Sequence, residues 1–145
     1  MYPYRYAVSL RIKHPHFKPE DITENMRIQP SRSWMAGQRR STAKGKRLSG
    51  FFNEETYWTA DLHKGKTLQS TRMPLEEFLA DQLKLLEKQG NFLKQIRATG
   101  GCTEFFVGLF CTKNIGAELP STLLGRMSEL GIDLSLDVYP DKETA

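Results

Sequence analysis

The chain has 145 residues, 39% hydrophobic and 26% charged, with a formal net charge of +4. That size and apolar content fit one domain, residues 1–145, with a buried core, and exclude a disordered chain. The longest apolar run, near Phe105 to Cys111, is far short of the roughly 20 residues of a membrane-crossing helix, so no membrane partner is expected.

Tyr4, Tyr6, Val8, Leu10 and Ile12 alternate with Arg5, Ala7, Ser9, Arg11 and Lys13. A period of two predicts a half-buried strand whose other face is basic and wet. After His14-Pro15-His16, Pro19 stands at a first helical position followed by Glu20 and Asp21, whose charges suit a helix N-terminus. A short helix over Pro19–Met26 follows. Ile28 to Met35 predicts a second strand, with Pro30 confining its start to an edge or kink.

Residues 36–50 turn to Gly, Ser, Lys and Arg without periodicity, which predicts a long mobile basic hairpin loop. Phe51 to Leu62, containing Tyr57 and Trp58, returns to strand-forming residues. Leu75, Phe78, Leu79, Leu83 and Leu86 recur at helical spacing, with Pro74 in the first turn and Gly90 as the stop. Phe92, Leu93 and Ile96 predict a further short helix, capped by Asn91 and ended at Gly100-Gly101.

Phe105, Phe106, Val107, Leu109 and Phe110 form a nearly continuous apolar run, the pattern of a central strand covered on both faces. Leu119, Leu123, Met127 and Leu130 give a helical stripe closed by Gly131. Ile132, Leu134, Leu136 and Val138 then alternate with Asp133, Ser135, Asp137 and Tyr139, and residues 140–145 read as a frayed tail. The predicted class is α+β, about five strands in a mixed or antiparallel sheet with helices mainly on one face, in the order β-α-β-β-α-(α)-β-α-β.

The opening strand, Lys18-Pro19-Glu20-Asp21-Ile22-Thr23, Pro30-Ser31-Arg32-Ser33-Trp34-Met35-Ala36-Gly37, Tyr57-Trp58 and the ending Gly131 to Tyr139 stand in a characteristic order and spacing. In these the chain resembles a bacterial family known only as a domain of unknown function. The resemblance spans most of the chain. It implies a short single-domain bacterial protein and brings no catalytic residues to carry over. The chain departs from the family in having Lys18 where an acidic helix cap is frequent, and in the basic stretch after Gly37.

Charge is segregated along the chain. From Asn25 to Asn53 there is no Asp or Glu, while Arg27, Arg32, Arg39, Arg40, Lys44, Lys46 and Arg47 contribute +7. The other 14 Lys and Arg stand against 17 Asp and Glu, a balance of −3, so this segment alone makes the protein basic. Such an arm attracts an acidic protein surface or the phosphates of nucleic acid. Trp34, Phe51 and Phe52 flank it, as aromatic residues flank sites for single-stranded nucleic acid. The plainer reading is a solvated arm with core aromatics at its base. Trp58 likewise reads first as core and second as part of a pocket, and Arg32 with the two tryptophans suggests a small anion or ligand site at the sheet edge.

Other chemistry is not indicated. Gly45-Lys46 is not a phosphate-binding loop, because the glycine spacing is wrong and Arg47 replaces the Ser or Thr that would hold magnesium. His14, His16 and His63 read as surface or turn residues, and no third metal ligand accompanies any pair. Cys102 and Cys111 fall nine residues apart on one predicted strand, at roughly 3.3 Å per residue far beyond the roughly 7 Å limit for a disulfide. They read as buried thiols on opposite faces in a reducing compartment. The N-terminus shows neither a basic leader nor an apolar core, so the expected location is cytoplasmic.

No cofactor and no catalytic set is expected. The leading expectation is a non-enzymatic binding domain meeting an acidic protein, an immunity-type protein being one version. The alternatives are nucleic-acid binding through the 32–47 loop and a small enzyme whose site is assembled from residues distant in sequence. The binding residues expected are Arg32, Trp34, Arg39, Arg40, Lys44, Lys46, Arg47 and Trp58. Open sheet edges leave room for a homodimer.

Overall fold

The alternation after Tyr4 produces β1 (Arg5–His14), in which every even-numbered residue is buried and every odd-numbered one at least partly exposed. In the computed structural model, which describes residues 2–41 and 47–140 and only the backbone at 39–41 and 47–52, this strand lies at the centre of the sheet. It pairs antiparallel with β5 (Thr56–Asp61) on one side and with β7 (Cys102–Cys111) on the other. β2 (Arg32–Trp34) closes the β5 edge, and β8 (Ile132–Pro140) runs parallel to β7 at the opposite edge. A two-residue strand, β6 (Leu68–Gln69), pairs with the start of β1. The main sheet is therefore mixed, in the order β2-β5-β1-β7-β8.

Among the described residues, four helices cover one face. α1 (Pro19–Met26) has Pro at its first position, and Lys18 supplies no side-chain cap to its amide groups. α2 (Leu75–Leu86) passes through one 3-10 turn into α3 (Gly90–Ala98), and α4 (Ser121–Leu130) joins β7 to β8. Gly90 keeps right-handed helical angles. It continues the helical run rather than ending it, and Asn91 lies inside α3, whose N-cap is Gln89.

The predicted stops after Ala98 and Leu130 are present. Gly100 has φ of +97°; its N–H donates to Arg97 O (3.2 Å) and that of Gly101 donates to Ile96 O (2.8 Å). This pair of bonds is the Schellman closure, which needs a left-handed residue where only glycine avoids Cβ strain.

Ile22, Met26, Leu79, Leu83, Leu93, Ile96 and Met127 from the helices meet Tyr6, Val8, Leu10, Ile12, Trp58, Phe105 and Val107 from the sheet in one core. Each such burial contributes roughly 1.5–3 kcal/mol, which offsets the entropy of ordering the chain.

Two parts differ from the sequence expectation. The stretch read as a mobile loop contains a separate antiparallel pair, β3 (Arg39–Ser41) with β4 (Arg47–Phe52). It continues the β2–β5 ladder, since Gly37 N–H donates to Asn53 O (2.9 Å) and Asn53 N–H to Gln38 O (2.8 Å). Residues 42–46 and the tail at 141–145 lie outside the described residues. The second difference is β7, where helices cover Thr103, Phe105, Val107 and Leu109 while Glu104, Phe106 and Phe110 lie partly exposed on the opposite face.

Candidate functional site on the open sheet face

Directly opposed residues in a sheet share a face. The registers Trp34↔Tyr57, Arg32↔Thr59, Arg11↔Glu104 and Phe106↔Ser135 therefore place all of these on the side away from the helices. Their side chains form a connected row. The guanidinium of Arg32 lies 5.9 Å from the Trp34 ring centroid, and Trp34 stacks on Tyr57 with centroids 4.4 Å apart and planes 17° from parallel. Arg11 lies 5.9 Å from the Tyr57 centroid and 3.5 Å from that of Phe106. At the other end of the face Arg5 is 5.7 Å from the Phe110 centroid, and Phe110 stacks on Tyr139 at 5.1 Å.

Partial burial strengthens these contacts. The Arg11 side chain is 29% exposed and lies 3.7 Å from the Glu104 carboxylate, itself 20% exposed, whose other oxygen accepts from the Ser135 hydroxyl. Each arginine–ring contact contributes about 0.5–2 kcal/mol, according to how dry it is, and the half-exposed ion pair at most about 1 kcal/mol. The result is a row of long side chains held in place before any partner arrives. The cations of this face, Arg32, Arg5, Arg11 and Lys13, lie on β2 and β1, while its carboxylates, Asp61, Glu104, Asp133 and Asp137, lie on β5, β7 and edge strand β8. Tyr139 donates its hydroxyl to Asp137, and that bond raises its pKa.

The expected site residues divide. Arg32 and Trp34 belong to the row. Arg39, Arg40 and Arg47 lie on the β3–β4 arm that continues from it, where only the backbone is described, and Lys44 and Lys46 lie outside the described residues. Trp58 is on the helix side, fully buried, with its indole N–H donating to Thr23 Oγ1 at 3.0 Å. It is a core residue and takes no part in a surface site, because the register that puts Trp34 and Tyr57 outward puts Trp58 inward.

Arg11, Tyr57, Phe106, Phe110 and Tyr139 were not anticipated as site residues. Their signal was parity: each shares its strand face with a charged or small residue, such as Lys13 with Arg11 and Glu104 and Gly108 with Phe106.

His14 is also misplaced by the turn reading. It continues the buried parity of β1, is fully buried, and its Nδ1 accepts the N–H groups of His16 (3.1 Å) and Phe17 (3.0 Å). Nε2 then carries the proton and donates to Thr99 Oγ1 at 2.7 Å. Burial, with His16 nearby, holds the His14 pKa below its ordinary value. His63 accepts the Val8 N–H on Nε2 at 3.1 Å. Burial raises the Cys102 thiol pKa, opposite to what a thiolate nucleophile needs. No group of three metal-ligating side chains occurs among the described residues.

These features define a small α+β domain with helices on one face of a mixed sheet and an arginine–aromatic surface on the other. The family model described as Domain of unknown function (DUF4279) matches residues 3–141, and the chain belongs to that family. No curated protein and no solved structure matches it. Among the described residues, no helix is long and apolar enough to cross a membrane.

Proposed function

We propose that the domain is a non-enzymatic recognition module whose open sheet face, together with the basic β3–β4 arm, contacts an acidic protein surface. The supporting observation is the row Arg32–Trp34–Tyr57–Arg11–Phe106, because Arg, Trp and Tyr in a fixed, partly desolvated arrangement are the residues that dominate protein interfaces. A cationic arm on the same side of the sheet order steers an acidic partner toward it. An immunity protein that occludes a toxin is one form this takes, and a cytoplasmic setting suits the two free cysteines.

Nucleic acid is the second reading, favoured by the acid-free stretch from Asn25 to Asn53. Base stacking, however, needs a free ring face, and Trp34, Tyr57 and Phe106 each already hold a face against another ring or an arginine. The row thus suits carboxylates at the outward guanidinium edges better than bases between the rings. The test is capture from a native lysate on immobilised protein, with and without nuclease. An acidic protein retained after nuclease treatment and lost with the Arg11→Ala/Arg32→Ala variant supports the reading. Retention of nucleic acid alone, with binding falling steeply as salt rises, replaces it with the second.

A further inference from the structure

The two edges of the sheet differ. β2 is three residues long, carries Arg32 and leads into the β3–β4 arm, so its edge is short and charged. β8 is nine residues long and, among the described residues, pairs only with β7, one residue to one from Thr103↔Ile132 to Cys111↔Pro140. It has no bulge, no Lys or Arg, and no proline before its last residue. Natural proteins block edge pairing with such devices and with charged side chains, and of these β8 has only Asp133 and Asp137, both on the open face.

Its helix-side residues are Ile132, Leu134, Leu136 and Val138. α4 covers the first of these, whereas Leu136 and Val138 remain 53% and 54% exposed. They line an apolar groove of about 370 Å³ with Leu109, Ile115 and Leu119.

We infer that the occupant of this edge is β8 of a second copy, paired antiparallel about a two-fold axis through Leu136. Opposed residues must share a face, so a register that sets odd positions against even ones would put Asp133 and Asp137 on the partner's apolar side. Among the remaining registers, centring on Asp137 sets that carboxylate against itself, and centring on Ser135 sets it against Asp133, whose charge Arg97 offsets only in part from 3.1 Å at an exposed site. Centring on Leu136 sets Asp133 against Tyr139, Ser135 against Asp137, and Leu134 against Val138. It is also the midpoint of β8, so the whole strand pairs. Centres on Leu134 or Val138 pair little more than half of it.

The axis stands perpendicular to the sheet. Both sets of helices therefore lie on one side and both arginine–aromatic faces on the other, in one continuous sheet. This inference stands on the edge strand and its charges and does not rest on the proposed function.

The test uses the purified full chain alone. Sedimentation velocity from micromolar to millimolar concentration is expected to show a monomer–dimer equilibrium. Leu136→Lys should abolish the dimer while leaving the circular dichroism spectrum unchanged. Tyr139→Asp, which faces Asp133 of the second copy twice per dimer, should weaken association about tenfold, whereas Tyr139→Lys should not. Leu136→Cys in a Cys102→Ala/Cys111→Ala background should form a covalent dimer on mild oxidation, because the residue opposes itself.

A monomer at every concentration overturns the inference. So does a dimer that tolerates the charge at residue 136 or treats both Tyr139 variants alike. Failure of Leu136→Cys to cross-link overturns the register. Should Leu136→Lys fail to fold, the two Tyr139 variants decide, since that side chain is at the strand end and outside the core.

Discussion

The guanidinium carbon of Arg11 on β1 lies 3.5 Å from the centroid of the Phe106 ring on β7. One cation thereby joins the Trp34–Tyr57 stack to the β7–β8 half of the open face, while the Glu104 carboxylate 3.7 Å away balances its charge. Helices cover the other face with a mostly apolar core, so the protein has an apolar side and a cation–aromatic side built on the same strands.

Arg11→Ala is expected to destabilise the fold by about 1–2 kcal/mol, as two ring contacts and a half-exposed ion pair are lost. Arg11→Lys should recover only part of this, because an ammonium does not stack flat on a ring as the guanidinium plane does. Urea unfolding of the three proteins measures the difference.

His14 makes stability depend on pH. Burial lowers its folded pKa below the ordinary 6.5, so the unfolded chain takes up the proton first. Its contribution is complete above 6.5 and is lost as pH falls from there through the lowered folded value. Protonated Nδ1 would point a hydrogen at the N–H groups of His16 and Phe17, which it accepts in the native state. Chemical unfolding at stepwise lower pH should show stability falling below 6.5, and His14→Gln should flatten that part of the curve at a lower overall stability.

Thr103 is 1% exposed on the core side of β7, between Ile12 and Ile132, and its Oγ1 has no hydrogen-bond partner. A buried unpaired hydroxyl costs roughly 1–3 kcal/mol. Thr103→Val keeps the shape and removes the hydroxyl, and should raise stability by about 1 kcal/mol in thermal or urea unfolding. An unchanged or lowered midpoint would count against a dry site there.

Gly101 admits no side chain. A Cβ would sit 2.6 Å from Lys13 O, 2.7 Å from His14 Cδ2 and 2.8 Å from Ile96 Cγ2. Gly101→Ala must separate the start of β7 from β1, at about 2 kcal/mol or more. Loss of amide-exchange protection around Lys13 and Ile96 locates the damage.

Much of the fold was legible because periodicity reports burial directly. The alternation from Tyr6 to Ile12 and the stripe from Leu75 to Leu86 correspond to β1 and α2. What failed were places where composition imitates burial. Phe106 and Phe110 extend an apolar run, yet the pleat turns them away from the helices, where Arg11 and Arg5 lie over their rings. The same ambiguity hid His14, whose position beside Pro15 suggested a turn although its parity matched Ile12.

At the site, sequence identified Arg32 and Trp34 through the charge segregation around them. It missed Arg11 and Tyr57, because the row depends on the β1–β5–β2 register, a property of pairing between distant segments. The hairpin expected over residues 36–50 has strand pairing that its glycine and lysine content did not indicate, Arg39 with Phe52 and Ser41 with Arg47.

The most direct test of recognition by the open face is the affinity of the nuclease-resistant protein captured from lysate, measured by calorimetry against the wild type and Arg11→Ala/Trp34→Ala at physiological salt. Loss of interface hot spots costs about 2 kcal/mol or more each, so binding should weaken at least about thirtyfold while the variant stays folded. A dissociation constant unchanged by the double substitution would place the contact elsewhere and contradict the account.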